Sequence, residues 1–445
     1  MTKDLTEGNV TKALLLFAYP MILGNLLQQC YNIADSFIVG KFLGSGALAA
    51  VGSAYTLMTF ITSVIIGLCM GSGSVFSVWF GRNDRVQLRN SIAVSFLFIG
   101  AFTVIVNGLI FGGIDIILHI LSVPRDIYGA MREYVWVIFF GVFFVFLYNF
   151  SAFLLRSVGN SVIPLWFLGA AAVINILLDI LFVVCFGMGI KGAALATVIA
   201  QAVSGIGLSA YVLIKETWLL PKRNEVKTDR KTLSEVMRHS FGACIQQSVM
   251  NFGILMIQGL VNSFGTAVMA AFAAAVKIDS FAYMPAQEFG NAFSLFISQN
   301  HGGGKQDRVK EGLRKAVKIS SVFCLGVSVI IFFLATCLMQ IFVRAEETDI
   351  ISIGVGYLRI EGSFYIGIGI LFLLYGFYRG IEKPEMALIL TVISLGTRVL
   401  LAYVLSPVPF IGVKGIWWAV PIGWVLADIT GIIFIRKALS NSRKT

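Results

Sequence analysis

The sequence predicts an all-α integral membrane protein, with twelve transmembrane helices in two six-helix lobes related by a parallel pseudo-twofold repeat. Three observations carry this. Of the 445 residues, 58% are hydrophobic and 13% are charged, about half the charged fraction of a soluble domain. Twelve apolar runs are long enough to cross ~30 Å of hydrocarbon. Motifs of the first half return in the second at an offset close to 223 residues. A β-barrel is excluded, because its strands alternate polar and apolar positions, whereas 167–186 is apolar on every face.

In order, the runs lie at 13–38, 46–80, 91–113, 133–155, 162–185, 190–214, 239–262, 266–299, 317–343, 351–378, 385–406 and 412–436. The first follows a polar dozen, exceeds a signal-peptide core and lacks a cleavage site, so it reads as an uncleaved helix. An even number of crossings puts both termini on one side. Assigning that side to the cytoplasm places 25 of the 34 Lys and Arg inside and only Lys41, Arg125, Arg132, Lys191, Arg344 and Lys414 outside. The positive-inside rule therefore predicts a multi-pass protein of a prokaryotic plasma membrane with both termini cytoplasmic. Lys277, Arg359 and Arg398 fall within helices. The net charge of +11 is thus a topology signal, and no basic domain is left to bind nucleic acid. The longest polar stretch, 215–238, reads as a cytoplasmic linker between an N-terminal lobe, 1–214, and a C-terminal lobe, 239–445.

The repeat is explicit. Gly81-Arg-Asn-Asp-Arg-Val86 recurs as Gly304-Lys-Gln-Asp-Arg-Val309, Arg156 pairs with Arg379, and Ile190-Lys-Gly192 recurs as Val413-Lys-Gly415. Six helices per half make the two halves parallel, an arrangement of paired bundles that rock about a midplane site in transporters.

Six acids lie within helices: Asp35, Asp179, Asp279, Glu288, Glu361 and Asp428. Each costs about 2.5–3.5 kcal/mol near the bilayer centre, so each needs protein, water or a partner. Asp35 and Asp179 sit at matching depths near the outer ends of the first and fifth helices. Asn175 is one turn deeper than Asp179 on the same face, and Thr197 on the sixth helix reaches a similar depth. Oxygen ligands suit a small hard cation such as sodium, and two adjacent carboxylates suit a proton, because their repulsion favours taking one up. The repeat provides a control, since the second half has Gly253, Arg398, Ala402 and Val420 at the equivalent positions. The residues alone leave open a second reading, in which Asp35 is solvated while Asn175 and Asp179 only bond neighbouring helices.

In the second half, Lys277 and Glu288 share one face of the eighth helix, and Glu361 is a candidate partner for Arg398. Ion pairing is one reading of these residues; a substrate path through Asp279 and Glu288 is the other. Asp115, Asp428 and the histidines at 119, 239 and 301 are expected to be solvated near helix ends. Pro20 interrupts the first helix and is a hinge candidate. The six cysteines, all in apolar segments without C-x-x-C spacing, read as small buried residues. No Walker, H-E-x-x-H or G-x-S-x-G motif is present, so neither an enzyme nor a cofactor is expected, and active transport would draw on an ion gradient.

The paired glycine and Asp-Arg turns, the Arg156-Ser-Val-Gly-Asn160 to Pro164 turn and Lys191-Gly-Ala-Ala194 resemble the multidrug and toxic compound extrusion (MATE) family, in its prokaryotic DinF-like branch, over essentially the whole chain. The resemblance implies a two-lobed antiporter, monomeric in the bilayer, that exports organic cationic or amphipathic molecules against protons or sodium. It also implies a coupling cluster of Asp35, Asn175, Asp179 and Thr197, the set already selected by depth and repeat asymmetry, and matches Pro20 to a family proline. A flippase for a lipid-linked or amphipathic envelope molecule is the alternative.

Overall fold

Lipid offers backbone amides no partner, so each apolar run closes its hydrogen bonds within itself, as helix. The computed structural model describes residues 4–120, 125–221 and 230–441; the middle of the expected linker, 222–229, lies outside the described residues. The spans are α1 (Val10–Gly44), α2 (Gly46–Gly81), α3 (Arg85–His119), α4 (Tyr128–Ser157), α5 (Val162–Cys185), α6 (Gly189–Lys215), α7 (Arg230–Asn262), α8 (Thr266–Gly302), α9 (Gln306–Gln340), α10 (Thr348–Gly362 and Tyr365–Gly380), α11 (Pro384–Leu405) and α12 (Val413–Ile435). The all-helical architecture of twelve spans is as expected, with two refinements. Several helices outrun their apolar cores: α7 starts at Arg230 and α9 at Gln306, because a helix continues past the hydrocarbon wherever its Lys and Arg stay hydrated. The tenth span is not one helix but two, bent by 52°.

The repeat extends to the backbone. α1 turns into α2 at Gly44 (φ 87°, ψ 179°), and α7 turns into α8 at Gly265 (φ 96°, ψ 173°). Only glycine adopts these angles without strain. After α4, Asn160 N donates to Leu155 O at 2.9 Å, and after α10, Lys383 N donates to Tyr378 O at 2.9 Å, a Schellman closure that needs a left-handed residue just before the donor. Gly159 takes it in one half (φ 85°) and Glu382 in the other (φ 61°), where the carboxylate lies 3.5 Å from His301 Nε2. The bend in α10 also has a counterpart, a 3-10 segment in α4 at Phe139–Gly141.

Two packing units result: one contains Tyr19–Cys244, the other Leu5–Ala18 and Ile245–Thr445. In the first, Phe139, Phe146 and Phe150 of α4 are buried, and the ring of Phe76 meets Phe150 at 5.9 Å. The start of α7 packs here through the hydroxyls of Ser240 and Ser72, 2.8 Å apart, so His239 is buried rather than solvated.

In the second unit, the segment before α1 is held by the Gly304–Val309 turn. Arg308 donates to the carbonyls of Leu5, Glu7 and Gly8 at 3.0, 3.1 and 2.7 Å, and Lys305 Nζ to Thr6 O at 2.9 Å. The second copy of the Asp-Arg turn is therefore a clamp for a chain segment. Asp428, expected near solvent, is buried, because the charge lies inside α12, where neighbouring helices cover it. Asp115 is paired with Arg132 (2.7 Å). Of the cysteines, Cys30, Cys185 and Cys337 are exposed, which corrects the expectation of burial; an apolar thiol is at home against lipid as well as in a core.

Small residues set the closest helix approach in this unit. A Cβ on Gly376 of α10 would lie 2.4 Å from Gly290 O on α8, and one on Gly290 would lie 2.8 Å from Phe372 O. Backbones in such contact tolerate no side chain. Gly376→Val is expected to destabilise the protein by about 1–3 kcal/mol or more, read as a lowered unfolding temperature in detergent, whereas Gly396→Ala, with open space around its Cα, leaves it unchanged.

Candidate functional site

Asp179 and Asn175 are buried on one face of α5 because they stand one turn apart, and α5 passes from α to π geometry directly after Asp179, over Ile180–Cys185. Asp35 of α1 is half-buried, and its carboxyl group lies within hydrogen-bonding range of that of Asp179. Asp35 Oδ1 and both Asp179 oxygens receive no N–H or O–H donor among the described residues. Two carboxylates have only lone pairs to offer one another, so a proton or a cation must stand between them. Left bare, each would cost several kcal/mol. Asn175 Nδ2 donates to Thr197 Oγ1 at 3.4 Å, while Asn175 Oδ1 stays without a donor. The four expected residues thus fall into two pairs, Asp35 with Asp179 and Asn175 with Thr197, related by the single turn of α5 between Asn175 and Asp179.

Tyr134 of α4 was missed by the sequence reading. It is buried, and its hydroxyl lies in the field of Asp35 and Asp179. A signal was available, since Tyr357 stands 223 residues later.

Tyr357 belongs to the corresponding place in the second lobe. There Tyr365 donates its hydroxyl to Asp279 Oδ1 at 2.6 Å and Tyr357 donates to Oδ2 at 3.4 Å. Tyr357 and Glu361 end the first half of α10 and Tyr365 opens the second, so the bend aims both halves at Asp279 of α8. The Glu361 carboxyl adjoins Asp279, and Arg398 of α11 reaches both through its field. The expected proximity of Glu361 and Arg398 is present, although Arg398 Nε and Glu361 Oε1 have no hydrogen-bond partner among the described residues.

Glu288 and Lys277 lie apart from this cluster. Glu288 accepts from Asn291 at 3.3 Å and lies in the field of Arg379. Lys277 Nζ stands 6.0 Å from the Phe342 ring, not beside Glu288, because eleven residues of helix span about 16 Å. Pro20 is buried within α1, which keeps helical angles through it and departs from them only at Gly44.

A MatE family model matches residues 20–181 and 241–404, once in each half. The chain belongs to the MatE family. Its members are transporters rather than enzymes, and this MATE transporter works without an organic cofactor. The "Probable multidrug resistance protein YpnP" of Bacillus subtilis (strain 168) is 30% identical over 97% of this chain and 96% of its own length. A FAD transporter of Shewanella oneidensis is 25% identical over 96% of this chain and 94% of its own. A MATE crystallised in complex with MaL6 superposes with a TM-score of 0.94 over the full length of both chains at 24% identity, which establishes the fold.

Tyr365→Phe removes the short bond to Asp279 while keeping the ring. It is expected to cost this MATE transporter about 1.5–3 kcal/mol, seen as a lower denaturation midpoint; Tyr403→Phe, at an exposed position, serves as the neutral control.

Proposed function

We propose that this MATE transporter exports small organic compounds, cationic or amphipathic, in exchange for protons or sodium ions entering the cell, and that Asp35, Asn175, Asp179 and Thr197 hold the entering ion. The observation that carries this reading is the Asp35–Asp179 pair, whose three oxygens without a donor among the described residues call for a positive charge. Alternating access then follows from linkage. An ion that binds one conformation better than the other shifts the population by that difference in affinity and no more, so loading the pair is worth transport work only if it disfavours the substrate-bound form.

The charge inventory supports a cationic cargo. Among the described residues, four acids are buried, Asp179, Asp279, Glu361 and Asp428, against the buried Arg379 and the half-buried Arg398, an excess of acid even with both cations counted. An interior of that sign favours organic cations over an anionic dinucleotide such as the cargo named for the Shewanella relative. The flanking basic residues favour a cytoplasmic position for both termini in a plasma membrane.

The test uses proteoliposomes loaded with a fluorescent organic cation, with pH and sodium gradients imposed separately. Asp35→Asn and Asp179→Asn are each expected to abolish gradient-driven efflux while leaving expression and folding intact. Efflux at the wild-type rate in either variant removes that residue from the mechanism. Efflux driven by only one of the two gradients identifies the ion.

A further inference from the structure

Successive carbonyls of the strap ahead of α1, residues 5–8, are each held by a side chain. Leu5 O accepts from Asn300 Nδ2 at 3.2 Å and from Arg308 at 3.0 Å, and Thr6 O from Lys305 Nζ at 2.9 Å. Glu7 O and Gly8 O accept from Arg308 at 3.1 and 2.7 Å. Leu5 N donates to Gln299 Oε1 at 3.1 Å, and Lys305 Nζ also donates to Thr6 Oγ1 at 2.9 Å. The receiving side is built for the purpose. Gln299 and Asn300 are fully buried, Arg308 Nε is aimed by Asn300 Oδ1 at 3.0 Å, and the left-handed Gly304 (φ 69°) turns the chain toward Lys305. Guanidinium and ammonium groups carry donors and no acceptors, so this surface fits a row of peptide carbonyls, with the buried Leu5 and Thr6 as its side-chain contacts.

The fold does not require the arrangement. In the first copy of the repeat, Phe76, Ser77, Arg82 and Arg85 stand for Gln299, Asn300, Lys305 and Arg308. There Phe76 packs on Phe150, Ser77 donates to Ser157 O at 3.3 Å and Arg85 lies 5.7 Å from the Trp218 ring. The strap is also separable from the helix it precedes. Gly8 is left-handed (φ 71°) with open space around it, and Asn9 Oδ1 accepts from Lys12 N at 3.1 Å, so α1 is capped without help from the strap. From Leu5 to Ala18 the chain belongs to the second packing unit, and from Tyr19 on, Asp35 included, to the first.

We infer that the strap is a detachable latch: the stretch from Gln299 to Arg308 is a receptor for an extended Leu-Thr peptide backbone, filled by the chain's own residues 5–8, and its occupancy holds the start of α1 on α8 and α9 during exchange. The receptor stands on its own geometry. Its bearing on exchange rests on the proposed role of Asp35, because a helix that carries the ion near one end transmits that binding only if its other end is held.

The test uses a variant lacking residues 2–7, which keeps Gly8 and the Asn9 cap, and a fluorescein-labelled peptide of residues 1–9. In detergent the shortened variant is expected to bind the peptide, and the intact protein to bind it about tenfold more weakly or worse, because its own strap competes at the high effective concentration of a tethered ligand. Arg308→Ala in the shortened variant, or Leu5→Ala in the peptide, is expected to lower the affinity about tenfold. No binding by the folded shortened variant overturns the receptor, as does binding that survives Arg308→Ala. Where the shortened variant does not fold, Leu5→Ala in the intact chain takes its place. Its weakened strap is expected to admit the wild-type peptide with about tenfold higher affinity than the intact protein shows, and no gain overturns the inference. In proteoliposomes, dye exchange by the shortened variant is expected to be lost and to return when unlabelled peptide is present on both faces. Exchange at the wild-type rate without peptide, or a loss that bound peptide does not reverse, overturns the latch. If the wild type itself shows no gradient-driven exchange, the transport reading fails, and the binding measurements still decide the receptor.

Discussion

Two carboxyl groups held side by side among apolar helices set the terms for the interior of this protein. Asp35 and Asp179 adjoin with three oxygens lacking a donor, and Coulomb repulsion at such range grows as the effective dielectric falls. A soluble protein would relieve it with water or a nearby ammonium. Here the surrounding helices are apolar by necessity, so relief calls for a proton or a cation on the pair itself. The need that membrane insertion imposes on the side chains is the need that the proposed ion would meet, and the helices α1, α4, α5 and α6 supply the residues that surround the pair.

The second lobe shows how differently the same place in the repeat can be furnished. Its glycine-turn geometry and its tyrosine are retained at the repeat spacing, and its acids arrive from other helices, α8 and α10 in place of α1 and α5. The bend after Gly362 brings Glu361 and Tyr365 to bear on Asp279, a convergence a straight helix would not achieve. Backbone geometry is thus the conserved element of the repeat, and the charge chemistry is written over it.

Much of this was legible in the chain, for identifiable reasons. Helix number followed from hydropathy, since a span must be both long and apolar. That Asp35 meets Asp179 and Asn175 meets Thr197 followed from depth, and their absence from the second half singled them out. Tyr134 escaped because a tyrosine in an apolar run costs little and draws no attention, although its partner Tyr357 stood at the repeat spacing. Asp428 was misjudged because position along a helix does not tell which neighbours cover it. Lys277 and Glu288 shared a face but not a depth. The break in α10 left no hydropathy signal, because Ser363 and Phe364 interrupt a run without a proline.

The clamp on the residues before α1 has a consequence for how the two halves relate. Leu5 meets Arg308 across 303 positions of sequence, and the opening of α7, up to Cys244, packs with the first unit. Each half of the duplicated chain therefore lends its leading segment to the other, an intramolecular domain swap. Synthesis runs against this order, because the first residues made wait for the ninth helix before their carbonyls are satisfied. The halves are copies in sequence, but the packing units do not coincide with them.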